Sequence, residues 1–230
     1  MSSRRVVFVV GPSRSGTSAL AGALQALGMH VPTPEVPADA TNPNGYAESK
    51  WVLDLHTELL DRVNVAPDDA RPAAWFETGK LGANGMLRTR ITDWLGPRFT
   101  PLPDEEDEPE LVIKDPRLSW FLGLWNGVAM RCDATPAYLT ALRPAPEVVG
   151  GKDRPAARTA SWINAMLHTE LGTRGSLRGF VRYEDLLRDW TIPVFRIGTE
   201  FDLRAVTEAS ANSMRKVHQF VDPDLRRSQH

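Results

Sequence analysis

The chain has 230 residues, 42% of them hydrophobic and 24% charged, which is enough for one compact α/β domain with a sizeable core and tight for two. A formal net charge of -2 argues against a general nucleic-acid binder, which carries a basic surplus, although local basic pockets are compatible with it. The single cysteine, Cys132, excludes an intramolecular disulfide, and the five scattered histidines lack the paired spacing of a zinc site.

The opening residues Met1 to Arg5 precede only five apolar residues, Val6 to Val10. That run is shorter than the apolar region of a signal peptide, and no small-residue cleavage pattern follows. No stretch reaches the length of a membrane span. The expectation is a soluble cytoplasmic protein with no integral membrane segment.

Val6 to Val10 reads as a strand buried on both faces, the kind found in parallel sheets. A helix follows, with Leu20, Leu24 and Leu27 at helical spacing and Gly28 as its C-terminal stop. Residues 32–47, rich in Pro, Asn and Asp, read as a loop, and 49–63 as a helix with Trp51, Leu55 and Leu59 on one face. Residues 66–80 look loop-like and 81–95 helical. The run Asp104 to Glu108, within an acidic loop over 101–110, reads as a solvated, mobile segment.

Leu111 to Ile113 is a second short strand ending in Lys114-Asp115-Pro116-Arg117, followed by a helix over 118–130. Residues 137–142 form a third strand ending at Arg143, 155–173 a long helix, and 179–183 a fourth strand. The remainder reads as helical to about 199, with a last helix near 205–220. Strands alternating with helices predict a mainly parallel sheet with helices on both faces.

The turn between the first strand and helix is Gly11-Pro12-Ser13-Arg14-Ser15-Gly16-Thr17-Ser18. Such a turn presents backbone N–H groups that have no intrahelical partner, at the positive end of the helix, and so forms an anion site. Gly11 and Gly16 permit a tight path, Ser15, Thr17 and Ser18 add hydroxyls, and Arg14 adds a fixed cation. A nucleoside-triphosphatase loop reads G-x-x-x-x-G-K-S/T. Here the spacing is kept but Thr17 stands in the lysine position, and the cation has moved inside the loop to Arg14. That substitution tilts the reading away from a P-loop small-molecule kinase, which would also need a magnesium carboxylate.

The string Gly11 to Leu20 resembles the 5′-phosphosulfate loop of the PAPS-dependent sulfotransferases. Four further stretches agree in order and spacing with bacterial members. They are Asn42-Pro43-Asn44-Gly45-Tyr46-Ala47-Glu48, Lys114 to Arg117, Leu142-Arg143-Pro144, and Val181-Arg182-Tyr183-Glu184-Asp185-Leu186. The resemblance implies a P-loop-like sulfotransferase architecture as a single domain over 1–230, with the acceptor side drawn from 32–100. It implies PAPS as donor, PAP as product and no metal. The partner would be a hydroxyl acceptor, whether small molecule, sugar or lipid of glycolipid type, and not nucleic acid. A non-catalytic nucleotide-binding relative is the remaining alternative.

The resemblance also distributes roles. Arg14, Ser15, Gly16, Thr17 and Ser18 would hold the 5′-phosphosulfate, and Arg143 the 3′-phosphate. Gly151, eight residues after Arg143, falls where members usually carry a serine on the same phosphate; Lys152, Arg154 and Arg158 are at hand to compensate. A general base must take the proton of the acceptor hydroxyl. The candidates are Glu48, which otherwise reads as a carboxylate at a helix N-terminus, and Asp115, which otherwise reads as a salt-bridge partner of Lys114, Arg117 or Arg143. Lys114 and Arg117 are further residues expected to line the donor or acceptor pocket, with Lys114 alone taken as a site candidate. Tyr183-Glu184-Asp185 reads as structural, and Trp51, Trp75, Phe76, Met86 and Trp94 as a stacking surface for the acceptor or as core.

Overall fold

The computed structural model describes residues 4–40, 42–101, 107–150 and 154–221; Asp104 to Glu106 and Gly151 lie outside them. In chain order the elements are β1 (Arg5–Val10), α1 (Thr17–Leu27), α2 (Lys50–Arg62), α3 (Pro72–Leu81) and α4 (Gly85–Leu95), which runs into a 3-10 turn at Gly96–Phe99. Next come β2 (Leu111–Lys114), a 3-10 turn (Leu118–Phe121), α5 (Leu122–Arg131), β3 (Thr135–Leu142), α6 (Ala145–Val149) and α7 (Pro155–Thr173). The chain continues through β4 (Leu177–Arg182), α8 (Tyr183–Asp189), α9 (Thr191–Glu200), α10 (Arg204–Thr207) and α11 (Ala211–Phe220).

The strands form one parallel sheet in the order β2-β1-β3-β4. In β1, Val6 to Val10 are fully buried, because both faces of this central strand are covered. Val6, Phe8 and Val10 pack with Leu111, Ile113 and Tyr138 against α2, α4 and α5, where Trp125 is fully buried. Val7 and Val9 pack with Val112, Leu139 and Val181 against α1 and the C-terminal helices. Each such apolar side chain contributes about 1.5–3 kcal/mol on burial, so an unbroken Val/Phe run is stable only at the centre of a covered sheet. The expected α/β class, with helices on both faces, is what the chain forms.

From β1 the chain first builds β2 on one side, then crosses to build β3 on the other. The ends of β1 and β3 therefore bound the crevice where open α/β sheets place ligands. Local departures from the sequence reading have local causes. Residues 66–80 are not all loop: Pro72 sits in the first turn of α3, where a missing N–H is harmless. The helix expected over 81–95 begins only at Gly85, because Asn84 caps it by accepting from Leu87 N at 3.0 Å. The described end of the acidic run is anchored rather than free. Arg4 pairs with Glu108 at 2.9 Å, Asp107 with Arg204, and Glu110 accepts from the amides of Arg204 and Ala205 at 2.9 Å each.

Among the described residues no helix is long and apolar enough to cross a membrane.

Candidate active site

The turn after β1 is shaped by positive φ angles at Gly11 (+142°), Arg14 (+69°) and Gly16 (+97°). A Cβ on Gly11 would lie 2.8 Å from Ser15 Oγ and 3.0 Å from the Ala141 carbonyl oxygen. One on Gly16 would lie 2.3 Å from the Tyr183 ring, so glycine is required by space as well as by backbone conformation. Ser15 N donates to Pro12 O at 3.1 Å and closes the turn. Gly16 then caps α1 without a side-chain hydrogen bond, and the first turn of α1 holds no acidic residue. Leu20 N makes the first bond back to Gly16 O, at 3.1 Å. The amides of Thr17, Ser18 and Ala19 are thus left without intrahelical acceptors at the positive end of the helix.

These groups border a cleft of about 650 Å³, within the range of small-molecule sites. Arg14, Gly16, Thr17 and Ser18 line it from the turn, Lys114 from the end of β2 and Arg143 from the end of β3. Glu48 lines it from the connection between α1 and α2. Residues far apart in sequence thus converge on one space. Two of the expected residues do not. Ser15 is buried with its Oγ unpartnered, and Asp115 is buried and does not line the cleft. Gly151 is outside the described residues.

Lys114 and Glu48 form a buried pair, 2% and 5% exposed. The Lys114 ammonium donates to Glu48 Oε1 and, at 2.8 Å, to Ser18 Oγ, tying the end of β2 to the first turn of α1. Burial pushes the Glu48 carboxyl up and the Lys114 ammonium down, each towards its neutral form, while their mutual attraction opposes both shifts. The Glu48 side chain is therefore turned to Lys114 and not to the N-terminus of α2, which Ser49 begins without a side-chain cap.

Asp115 has a different partner set. Both its oxygens accept from Arg117, from Nε at 2.8 Å and Nη2 at 2.6 Å, and Oδ1 also accepts from Arg117 N at 2.7 Å. Burial raises the Asp115 carboxyl, but His56 and the Arg117 guanidinium outweigh it and hold the group well below the usual carboxylate range. A carboxylate enclosed in this way, 1% exposed, is the salt bridge to Arg117 and has no access to a hydroxyl in the cleft. The structure thus separates the two candidate bases: Glu48 faces the cleft and Asp115 braces its wall.

Arg143 donates from Nη1 to Arg14 O at 3.1 Å, pairs with Glu147 through Nε at 3.0 Å and lies over the Tyr183 ring at 4.9 Å. The residue at the end of β3 thereby holds the left-handed Arg14 in place. Tyr183, read from the sequence as structural, also lines the cleft, as do Phe220 and Tyr46. Close spacing of Gly16 to a ring is a tertiary fact with no sequence signal; Tyr46, two residues from Glu48, was legible as part of the same stretch. The expected stacking surface does not form at the cleft. Trp51 and Trp94 stack on one another at 4.1 Å in the core, Trp75 stacks between Trp120 and His168 at 3.9 Å each, and Phe76 and Met86 point to solvent. What residues 32–100 give the cleft is instead the stretch from Asn42 to Asn44 with Tyr46 and Glu48, together with Val36, Asp39, Leu53 and Pro67.

A smaller cavity of about 260 Å³ shares Ser13, Arg14, Pro67 and Pro116 with the cleft and extends towards Trp162 and Arg158 of α7. Among the described residues no group of three or more His, Cys, Asp or Glu is placed to hold a metal ion.

No protein-family model matches the chain, and no curated protein does. Among solved structures it is similar to the sulfotransferase domain from the curacin biosynthetic pathway, with a TM-score of 0.50 and 14% identity over 96% of this chain and 89% of that one. It is also similar to the sulfotransferase domain from the Synechococcus PCC 7002 olefin synthase, with a TM-score of 0.53 and 18% identity over 99% of this chain and 88% of that one. At these identities the likeness is one of fold: the chain has the α/β fold of sulfotransferase domains.

Proposed function

We propose that this chain is a sulfotransferase that moves a sulfuryl group from PAPS to a hydroxyl of a small-molecule, sugar or lipid acceptor. The observation that carries the reading is the uncapped N-terminus of α1, bracketed by Gly11 and Gly16 and opening with Arg14 onto a cleft of ligand size. A site built of backbone N–H groups and a guanidinium suits a phosphosulfate without a loop lysine. The fold shared with sulfotransferase domains supports the same conclusion.

In this reading the amides of Thr17 to Ala19 and the Arg14 side chain hold the 5′-phosphate end of the donor. They stabilise the charge that collects on the leaving oxygen, the main demand of a loose transition state. Arg143, at the end of β3, takes the 3′-phosphate in this reading. Glu48 accepts the proton of the acceptor hydroxyl. The sulfur–oxygen bond to the donor phosphate breaks with its electron pair going to that oxygen, and a bond from sulfur to the acceptor oxygen forms. PAP and the sulfate ester leave. Lys114 donates to Glu48 and opposes the upward push of burial on its carboxyl, favouring the deprotonated form that can receive a proton.

Thermal unfolding in the presence of PAP, and separately of ATP with magnesium, tests the donor class. PAP is expected to raise Tm in a concentration-dependent way, with about 2.7 kcal/mol of stabilisation at a hundred times its Kd. Stabilisation by ATP with magnesium and none by PAP would overturn the reading in favour of a kinase.

A further inference from the structure

Arg117 lines the same cleft as Glu48 and Lys114 while it pairs with the buried Asp115. A guanidinium has five N–H donors. Three are engaged: Nε and Nη2 to the two oxygens of Asp115, and Nη1 to Thr57 Oγ1 at 2.6 Å. One N–H on each terminal nitrogen is left without a protein acceptor among the described residues.

What lies behind Arg117 is a buried chain of side chains. Asp115 is fixed at both oxygens by Arg117, and His56 Nδ1 stands 3.4 Å from Asp115 Oδ1, longer than a normal hydrogen bond. The other ring nitrogen of His56 accepts from Trp125 Nε1 at 2.8 Å. An indole nitrogen can only donate, so Nε2 must be bare and the ring proton is assigned to Nδ1, turned towards the Asp115 carboxylate. His56 and Trp125 are both 0% exposed, and the His56 ring stacks on Phe121 at 4.8 Å. The tautomer and the ring orientation are both fixed by packing.

Burying a carboxylate and a guanidinium is a poor way to gain stability, because the desolvation of two ions offsets most of their attraction. The pair does aim a rigid cation into the cleft. Arg117, Glu48 and Lys114 line one cleft, so the guanidinium charge shares that space with the base. An acceptor oxygen held by Glu48 attacks sulfur, so the group lying between the turn and Glu48 is the sulfuryl.

We propose that Arg117 binds a non-bridging oxygen of the donor's sulfuryl group, with Asp115, His56 and Trp125 as the positioning residues that aim it. The inference rests on the sulfotransferase reading and adds a residue to it.

Calorimetric titration with PAP, which lacks the sulfuryl, and with PAPS, which has it, separates the role. The wild-type protein is expected to bind both. Arg117→Ala should leave PAP affinity within about twofold while lowering PAPS affinity about tenfold or more, the loss expected for a hydrogen bond to a charged group. Arg117→Gln, which is neutral but can still donate to Asp115, should show the same change in the PAPS-to-PAP ratio and decides the point if the alanine variant does not fold. His56→Leu should lower the ratio by a smaller factor, and His56→Asn, with an N–H for Asp115 and an oxygen for Trp125, should restore it. A wild-type ratio in a folded Arg117→Ala or Arg117→Gln protein overturns the inference alone and makes the chain a brace for the turn at 118–121. A wild-type protein that binds neither nucleotide overturns the sulfotransferase reading and this inference with it.

Discussion

At Lys114 one side chain joins three parts of the molecule: the end of β2, the first turn of α1 through Ser18 and the α1–α2 connection through Glu48. Its position next to Glu48 gives the base candidate an electrostatic partner that opposes the upward push of burial on the carboxyl. Glu48→Gln is expected to lower turnover by about 10²–10⁴, the usual share of a general base, with PAP affinity nearly unchanged. A collapse of PAP binding would instead make Glu48 structural. The pH profile carries a sign. A base works deprotonated, so kcat/KM should rise with pH as Glu48 loses its proton, and burial sets that rise above the range of an ordinary carboxylate. The rise should vanish in Glu48→Gln; its survival there would assign it to another group. Arg14→Ala should lower turnover by about 10²–10³, comparable to losing one donor from an oxyanion site. Wild-type turnover in that variant would remove Arg14 from the reacting end.

The turn from β1 into α1 works as a unit, and its glycines separate two effects. Gly16 has both a positive φ and the Tyr183 ring where a Cβ would go, whereas Gly45 has a positive φ of +84° and nothing within 4 Å. Gly45→Ala should therefore destabilise by only the left-handed backbone cost, about 1–2 kcal/mol. Gly16→Ala should destabilise by more and also weaken PAP binding, because relieving the clash moves either the Tyr183 ring or the amides of α1. Denaturant unfolding and PAP titration of both variants check this, and equal effects from the two would contradict it. Most elements could be read before any coordinates were known. The long helix Pro155–Thr173 matches the predicted span, and the Val/Phe run of β1 could belong only to a covered strand. The split of 205–220 into α10 and α11, and the short α6, were not legible, since four or five residues give no periodicity to read.

The whole molecule brings its candidate residues together by topology. Because β2 and β3 flank β1, the strand ends carrying Lys114 and Arg143 fall on either side of the turn that carries Arg14. Motif order along the sequence could foretell this convergence, since each stretch ends a predicted strand or begins a helix. The sequence offered Asp115 as a salt-bridge partner of Lys114, Arg117 or Arg143 but not which of them it meets. That depends on Arg117 folding back two residues onto Asp115 and on His56 arriving from α2. Of the two readings offered for the aromatic residues of 32–100, Trp51 and Trp94 take the core one: tryptophans at helical spacing satisfy the core first, and these two stack on each other there. A crystal structure of the chain with PAP tests the central claim most directly. The 5′-phosphate should lie against the amides of Thr17 to Ala19 with Arg14 beside it and the 3′-phosphate at Arg143. PAP bound elsewhere, with those amides facing solvent, would contradict the account.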